Sequence, residues 1–231
     1  MTASRVAWIA WLVDLVFPQR CVSCGVSSPS SPLCAACRVA LRPVAPPLCA
    51  RCGAATAWPV QRCRECAGRR LAFATARAAF AYAGPAVPFI RGWKERGLRR
   101  LGPVAGALVA ERLEPAPADV VTSIPPDAVR QLGRSRHPAE LLARDLARRW
   151  GLPYRSLLGR TRRVERQAGL RFAGRGANVR GAFAAVDVVP RRVLLVDDVY
   201  TTGATASAAA SALRRAGAAE VDVVAFARAL R

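Results

Sequence analysis

Histidine, lysine and methionine are almost missing from this 231-residue chain, which has one of each: His137, Lys94 and Met1. A lone histidine excludes a multi-histidine metal site and argues against histidine-based triad chemistry. Aromatic residues make up only 6% of the sequence, too few for the interleaved stacking platforms of typical single-strand binders. No run approaches the ~18–20 apolar residues that span a bilayer. The longest candidate, Val6–Phe17, carries Asp14 and lacks the cationic start and small-residue cleavage site of a signal peptide. A soluble, cytoplasmic chain without stable membrane insertion is therefore expected. No GxxxxGK[ST] is present, so the phosphate loop of the Walker type is excluded.

Acidic residues are also few, 15 against 36 basic ones, giving a formal net charge of +21. All the basic residues except Lys94 are arginine. Arginine stays charged in any surroundings and grips phosphate with two parallel hydrogen bonds, so anionic partners are favoured. A GC-rich coding bias writes the same arginine and alanine excess, and charge alone does not separate a phosphorylated metabolite from nucleic acid. Alanine accounts for 47 residues, so the core is shallower than the 52% hydrophobic content suggests.

What the sequence has in quantity at one end is cysteine. All eight lie within the first 66 residues as four CxxC knuckles: Cys21/Cys24, Cys34/Cys37, Cys49/Cys52 and Cys63/Cys66. A CxxC turn aims two thiolates at one ion, and two turns complete the tetrahedral four-sulfur set that suits Zn²⁺. Two structural zinc sites are expected. Sequential pairing is favoured, with cross-brace pairing as the alternative. Neither site leaves an open coordination position, so the zinc would supply folding energy rather than chemistry.

After the cysteines, strand-like and helical segments alternate. Strands are expected at 77–82, 119–124, 154–158, 193–196 and 221–227. Helices are expected at 89–96, 98–113, 138–150 and 204–216, the last two closed by Gly151 and Gly217. Residues 160–181 hold seven arginines and four glycines without a period and read as a long basic loop. Alternation of this kind implies a mainly parallel α/β sheet. The expected organisation is an amphipathic helix at 1–17, a double four-cysteine zinc ribbon at 18–70, connecting elements at 71–118 and an α/β domain at 119–231.

The most informative stretch is Val193-Leu-Leu-Val-Asp197-Asp198-Val-Tyr-Thr201-Thr202-Gly203-Ala204-Thr205. An apolar strand delivers two carboxylates to the carboxyl edge of the sheet, where α/β proteins bind ligands. The Thr-rich turn follows at a helix N-terminus, whose free N–H groups and dipole favour a phosphate. Sugar diol and terminal phosphate can thus be held side by side.

All 13 positions resemble the phosphoribosyl pyrophosphate (PRPP) loop of type I phosphoribosyltransferases. The wider arrangement resembles the ComF (competence protein F) family, in which a cysteine ribbon precedes such a domain. Further matching segments are Phe89-Ile-Arg-Gly-Trp-Lys94, Ser123-Ile-Pro-Pro126, and Arg160-Thr…Gln167-Ala…Arg175…Asn178…Gly181-Ala-Phe183. Where many members read Arg-Gly-Phe-Asn-Gln, this chain has Arg134-Ser-Arg-His137-Pro-Ala.

By that resemblance, the fold is that of a type I phosphoribosyltransferase. Asp197 and Asp198 hold the ribose hydroxyls, and Thr201, Thr202, Gly203, Ala204 and Thr205 cradle the 5-phosphate. Ser123, Ile124, Pro125 and Pro126 form the pyrophosphate loop. Arg91 and Lys94 neutralise the leaving group, Arg160, Arg162 and Arg163 belong to a lid, with nucleic-acid contact as their alternative role, and Mg²⁺ arrives with PRPP. Thr201 stands where purine-salvage relatives place an Asp, which speaks against 6-oxopurine salvage. No acceptor is legible. The family link implies a role in DNA uptake, with single-stranded DNA and other uptake proteins as further partners. The competing expectation is a non-catalytic, nucleotide-sensing factor that binds single-stranded DNA. His137 is expected to be a surface or capping residue rather than a general base.

Overall fold

The computed structural model describes residues 19–126, 137–161 and 181–230. The amino-terminal helix expected at 1–17 and most of the basic segment lie outside them. The chain order is α1 (Ala35–Val39), β1 (Ala76–Ala81), α2 (Ala86–Glu95), α3 (Leu101–Ala110), β2 (Val120–Ser123) and α4 (Pro138–Arg149). It continues with β3 (Leu158–Arg160), β4 (Phe183–Ala185), β5 (Arg192–Tyr200), α5 (Ala204–Arg215) and β6 (Glu220–Arg228). Four strands form a parallel sheet in the order β1-β6-β5-β2, while β3 and β4 make a separate antiparallel pair. This is the mainly parallel α/β architecture expected from the sequence, with a cysteine-rich module at its amino end.

The apolar run in β5 is buried on both faces, as parallel strands require. Alternation sends Val193 and Leu195 into one core and Leu194 and Val196 into the other. Helix α5 covers the first face with Ala206, Ala209, Ala210 and Leu213. Helices α2, α3 and α4 cover the second, through Phe89, Trp93, Leu101, Leu142 and Leu146 among others. His137 caps α4, its Nδ1 accepting from the Ala139 N–H at 3.4 Å, with Pro138 in the first turn. Of the surface and capping roles left open by the sequence, the structure shows the cap. Gly106 lets α3 press against Asp145 of α4, where any Cβ would collide with the carboxylate.

The cysteine module straddles the sheet. Cys21, Leu33, Cys37 and Leu41 join the core of the α2–α4 face, whereas Cys49, Cys52, Cys66 and Phe73 join that of the α5 face. The chain between the two halves runs beside β1, with Val44 N–H donating to the Ala79 carbonyl at 3.0 Å and Ala81 N–H to that of Arg42 at 2.8 Å.

Three expectations are corrected. The strand expected at 154–158 begins only at Leu158, Tyr154 contributing a single bridge to Val121. The short β4 was not expected, because Phe183–Ala185 is too brief to show a period and its partner lies across the basic segment. Strand β5 also runs beyond Val196 to Tyr200, because β6 pairs with it there, matching Asp197 to Ala225 and Tyr200 to Arg228. The acidic pair therefore sits in regular strand backbone. No helix among the described residues is long and apolar enough to cross a membrane.

Candidate functional site

The eight cysteines gather into two clusters, Cys21/Cys24/Cys34/Cys37 and Cys49/Cys52/Cys63/Cys66, with all ligand atoms of each within 4.8 Å of one another. Pairing is thus sequential. Four thiolates at ~2.3 Å from a tetrahedral Zn²⁺ stand ~3.8 Å apart. Observed sulfur separations are 3.7 Å for Cys24–Cys34, 3.6 Å for Cys49–Cys66 and 3.5 Å for Cys52–Cys63, so the residues fit the ion. Backbone N–H groups point at the sulfurs, as from Cys34 to Cys21 at 3.4 Å and from Cys63 to Cys49 at 3.3 Å. Burial pushes the Cys21 and Cys49 thiols up, but these and neighbouring N–H donors outweigh it and bring each down to about 6. Cys21 and Cys49 are therefore available as thiolates near neutral pH, ready to take the metal.

At the carboxyl edge of the sheet lies a cleft of about 340 Å³, lined by Tyr82, Lys94, Ile124–Pro126, His137, Arg160, Asp197–Val199, Thr201 and Thr205. Strand alternation turns Asp198 toward the α2 face, where Lys94 meets it: Nζ to Oδ1 is 2.7 Å, with Asp198 almost wholly buried. Its second oxygen, Oδ2, has no hydrogen-bond partner among the described residues. A buried, unsatisfied carboxylate oxygen is costly unless a ligand or water completes it. Asp197 is half-buried and folds back on the chain, its Oδ1 accepting from the Asp198 N–H at 2.8 Å. Burial pushes the Asp197 carboxyl up to about 7, the Asp198 charge adding to the rise and Lys94 opposing it. The folded state then holds a proton that the unfolded chain has lost. The resulting stability is present near pH 4 and disappears as pH rises through 7.

Thr201–Gly203 make the turn into α5. The Thr202 hydroxyl accepts from the Ala204 N–H at 3.2 Å, and Gly203 caps the helix with φ +73°. A Cβ at Gly203 would lie 2.7 Å from the ring carbon Cζ of Tyr200 and closer still to its hydroxyl. Positive φ and contact together demand glycine here. Gly203→Ala is expected to weaken any phosphate held by this turn by about fivefold or more, through strain of ~1–3 kcal/mol. Titration with ribose 5-phosphate checks this, and an unchanged affinity would count against the cradle.

The structure brings Lys94, Asp197, Asp198, Ile124, Pro125, Pro126, Thr201, Thr205 and Arg160 around one cleft. Arg160 donates from Nε to the Pro125 carbonyl at 3.3 Å and lies 4.8 Å over the Phe183 ring. Ser123 is buried at the end of β2, its hydroxyl 3.1 Å from that of Tyr154. Arg91 is exposed on α2, one turn before Lys94, and is not among the lining residues. Arg162 and Arg163 lie outside the described residues. Sequence reasoning missed Tyr82, although its place one residue beyond β1, at the carboxyl edge, was the signal that could have found it.

An acidic pair, a hydroxyl-rich turn at the next helix and a proline loop at the neighbouring strand end lie on one edge of a parallel sheet, the arrangement that the resemblance to type I phosphoribosyltransferases implies. Here it is joined to a double zinc ribbon. Residues 12–67 match the family model of the double zinc ribbon domain. Over 227 residues the chain is 27% identical to competence protein F of Haemophilus influenzae, covering 92% of this chain and 98% of that protein. The ComF resemblance thus extends along nearly the whole chain. Among solved structures, the chain is 30% identical to glutamine PRPP amidotransferase from B. subtilis in complex with ADP and GMP. That likeness covers 55% of this chain and 26% of the enzyme, with a TM-score of 0.39. A structure described as the allosteric regulatory enzyme of purine biosynthesis gives 31% identity, coverage of 55% and 25%, and a TM-score of 0.38. This chain spans about a quarter of the length of either of those two.

Proposed function

We propose that the cleft binds PRPP and transfers its phosphoribosyl group to an acceptor with release of pyrophosphate. The observation that carries this reading is the buried Asp198, held by Lys94 with one oxygen unsatisfied, immediately before a glycine-capped Thr turn. Asp197 and Asp198 accept hydrogen bonds from the two ribose hydroxyls. The amides and hydroxyls of Thr201–Thr205 take the 5-phosphate. Ile124–Pro126 face the pyrophosphate, with Lys94 and Arg160 offsetting its charge. Mg²⁺ comes bound to PRPP and adds positive charge against the leaving group, as hard cations with few protein ligands do. The acidic pair is the chain's own contribution to that ion's surroundings.

Bond breaking to pyrophosphate leaves positive charge on the ribose, so the chain's work is positioning and charge stabilisation. A role in natural competence is part of this reading, since competence protein F matches the chain nearly end to end. The +21 charge suits single-stranded DNA as a further cytoplasmic partner.

The test is calorimetric titration of the zinc-loaded protein with PRPP and Mg²⁺, followed by pyrophosphate release with candidate acceptors. Micromolar binding is expected, and none detectable in a folded sample would overturn the reading. The pH dependence has a definite sign. Asp197 accepts a charge-assisted hydrogen bond from a ribose hydroxyl when ionised and a weaker one when protonated, so with its carboxyl near 7 affinity rises by up to about tenfold between pH 6 and pH 8. Phosphate ionisation of PRPP is common to all variants. Asp197→Asn therefore isolates the carboxyl's share, and a variant retaining the full slope would refute that assignment.

A further inference from the structure

We propose that Arg69, at the exit of the second zinc ribbon, is a positioning residue for the phosphate turn. The inference rests on the reading of Thr201–Thr205 as a phosphate cradle. Arg69 is tied to the ribbon through its backbone. Its N–H donates to the carbonyl of the zinc ligand Cys66 at 3.2 Å, and its own carbonyl accepts from Arg62 Nη1 at 3.4 Å. From that anchored backbone its side chain reaches across to the α/β domain, where Nη1 donates to the Thr202 carbonyl at 2.6 Å.

The direction of that bond matters. In a planar trans peptide the carbonyl and the following N–H point opposite ways. Pinning the Thr202 oxygen toward Arg69 therefore turns the Gly203 N–H away from it. Arg69 stands on the outer side of the turn, in the wall of a separate groove of about 780 Å³ beside α5, whereas Thr201 and Thr205 face the cleft. One arginine outside the cleft thus orients an amide that a bound phosphate would use.

Two further ties run from the same ribbon to the same turn. Arg228 is buried, donates to the Cys52 carbonyl at 2.6 Å and to Glu65 Oε2 at 2.5 Å, and lies 4.8 Å over the Tyr200 ring. Tyr200 fills the space against Gly203. Ala72 N–H donates to the Ser207 hydroxyl in the first turn of α5 at 3.0 Å. The second ribbon therefore grips the turn and the first turn of α5 without placing a side chain in the cleft.

The experiment compares zinc-loaded full-length protein with Arg69→Ala and Arg69→Lys. Hydrogen exchange across residues 199–206 is read without ligand, and ribose 5-phosphate and Mg-pyrophosphate are titrated separately. Arg69→Ala is expected to speed exchange of the turn and to weaken ribose 5-phosphate about tenfold, the size of one charge-assisted hydrogen bond. Pyrophosphate affinity and two zinc ions per chain stay unchanged, and Arg69→Lys, which still donates to the carbonyl, recovers most of the loss. Unchanged exchange and affinity in Arg69→Ala would overturn the proposal. So would equal losses for both ligands with zinc released, which marks a merely structural role. If wild-type protein binds neither ligand, the phosphate reading itself fails, while the exchange measurement still decides whether Arg69 holds the turn.

Discussion

Replacing Asp197 and Asp198 together by asparagine is expected to abolish detectable PRPP·Mg binding, a loss of at least about 100-fold, while the protein stays folded. Each carboxylate gives up a charge-assisted hydrogen bond worth ~1.5–3 kcal/mol, and two such losses amount to roughly two to four decades in affinity. The fold survives because the carboxylates sit at the end of β5, beyond the four apolar residues that pack both cores. Asparagine is isosteric and removes the uncompensated charge of the pair. The one structural cost is at Lys94, which loses its partner at 2.7 Å but remains a quarter exposed and can turn to solvent. Calorimetry with PRPP and Mg²⁺, beside a melting curve, checks both halves. Retained affinity in the double variant would remove the acidic pair from the site.

Zinc removal is expected to bring down the whole fold, not a detachable ribbon. A structural zinc site supplies folding free energy on the order of 10 kcal/mol. For a chain of this size ~1 kcal/mol moves the melting temperature by ~2–4 °C, so losing even half of one site's contribution lowers it by at least ~10 °C. The two ribbons contribute to opposite faces of the sheet, Cys21 and Cys37 in one core and Cys49, Cys52 and Cys66 in the other. Opening the second ribbon would also strip the buried Arg228 of Glu65 and the Cys52 carbonyl. A buried cation left without partners is strongly destabilising. Scanning calorimetry before and after chelation, with zinc readdition, measures the effect. A chelated protein that melts at the original temperature would show the ribbons to be energetically separate.

Chemistry that depends on residues near one another in the chain was legible from the sequence alone. CxxC spacing within 46 residues sufficed to foresee two clusters of four cysteines, because each knuckle is a local turn. The run from Val193 to Thr205 showed a strand, an acidic pair and a phosphate-type turn, because the apolar run, the carboxylates and the helix start follow directly along the chain.

Tertiary structure decided whatever joins distant segments. The choice of sequential over cross-brace zinc pairing depends on how the knuckles stack, which spacing leaves open. The pairing of β5 with β6, which carries the strand through Asp197 and Asp198, requires a partner more than twenty residues away. Lys94 meets Asp198, Arg69 meets Thr202 and Arg228 meets Cys52 across separations of about 100 to 180 residues. No periodicity encodes such contacts. They arise because a parallel sheet needs long crossovers, which bring the ends of remote strands to one edge, and because the ribbon packs on both faces of that sheet.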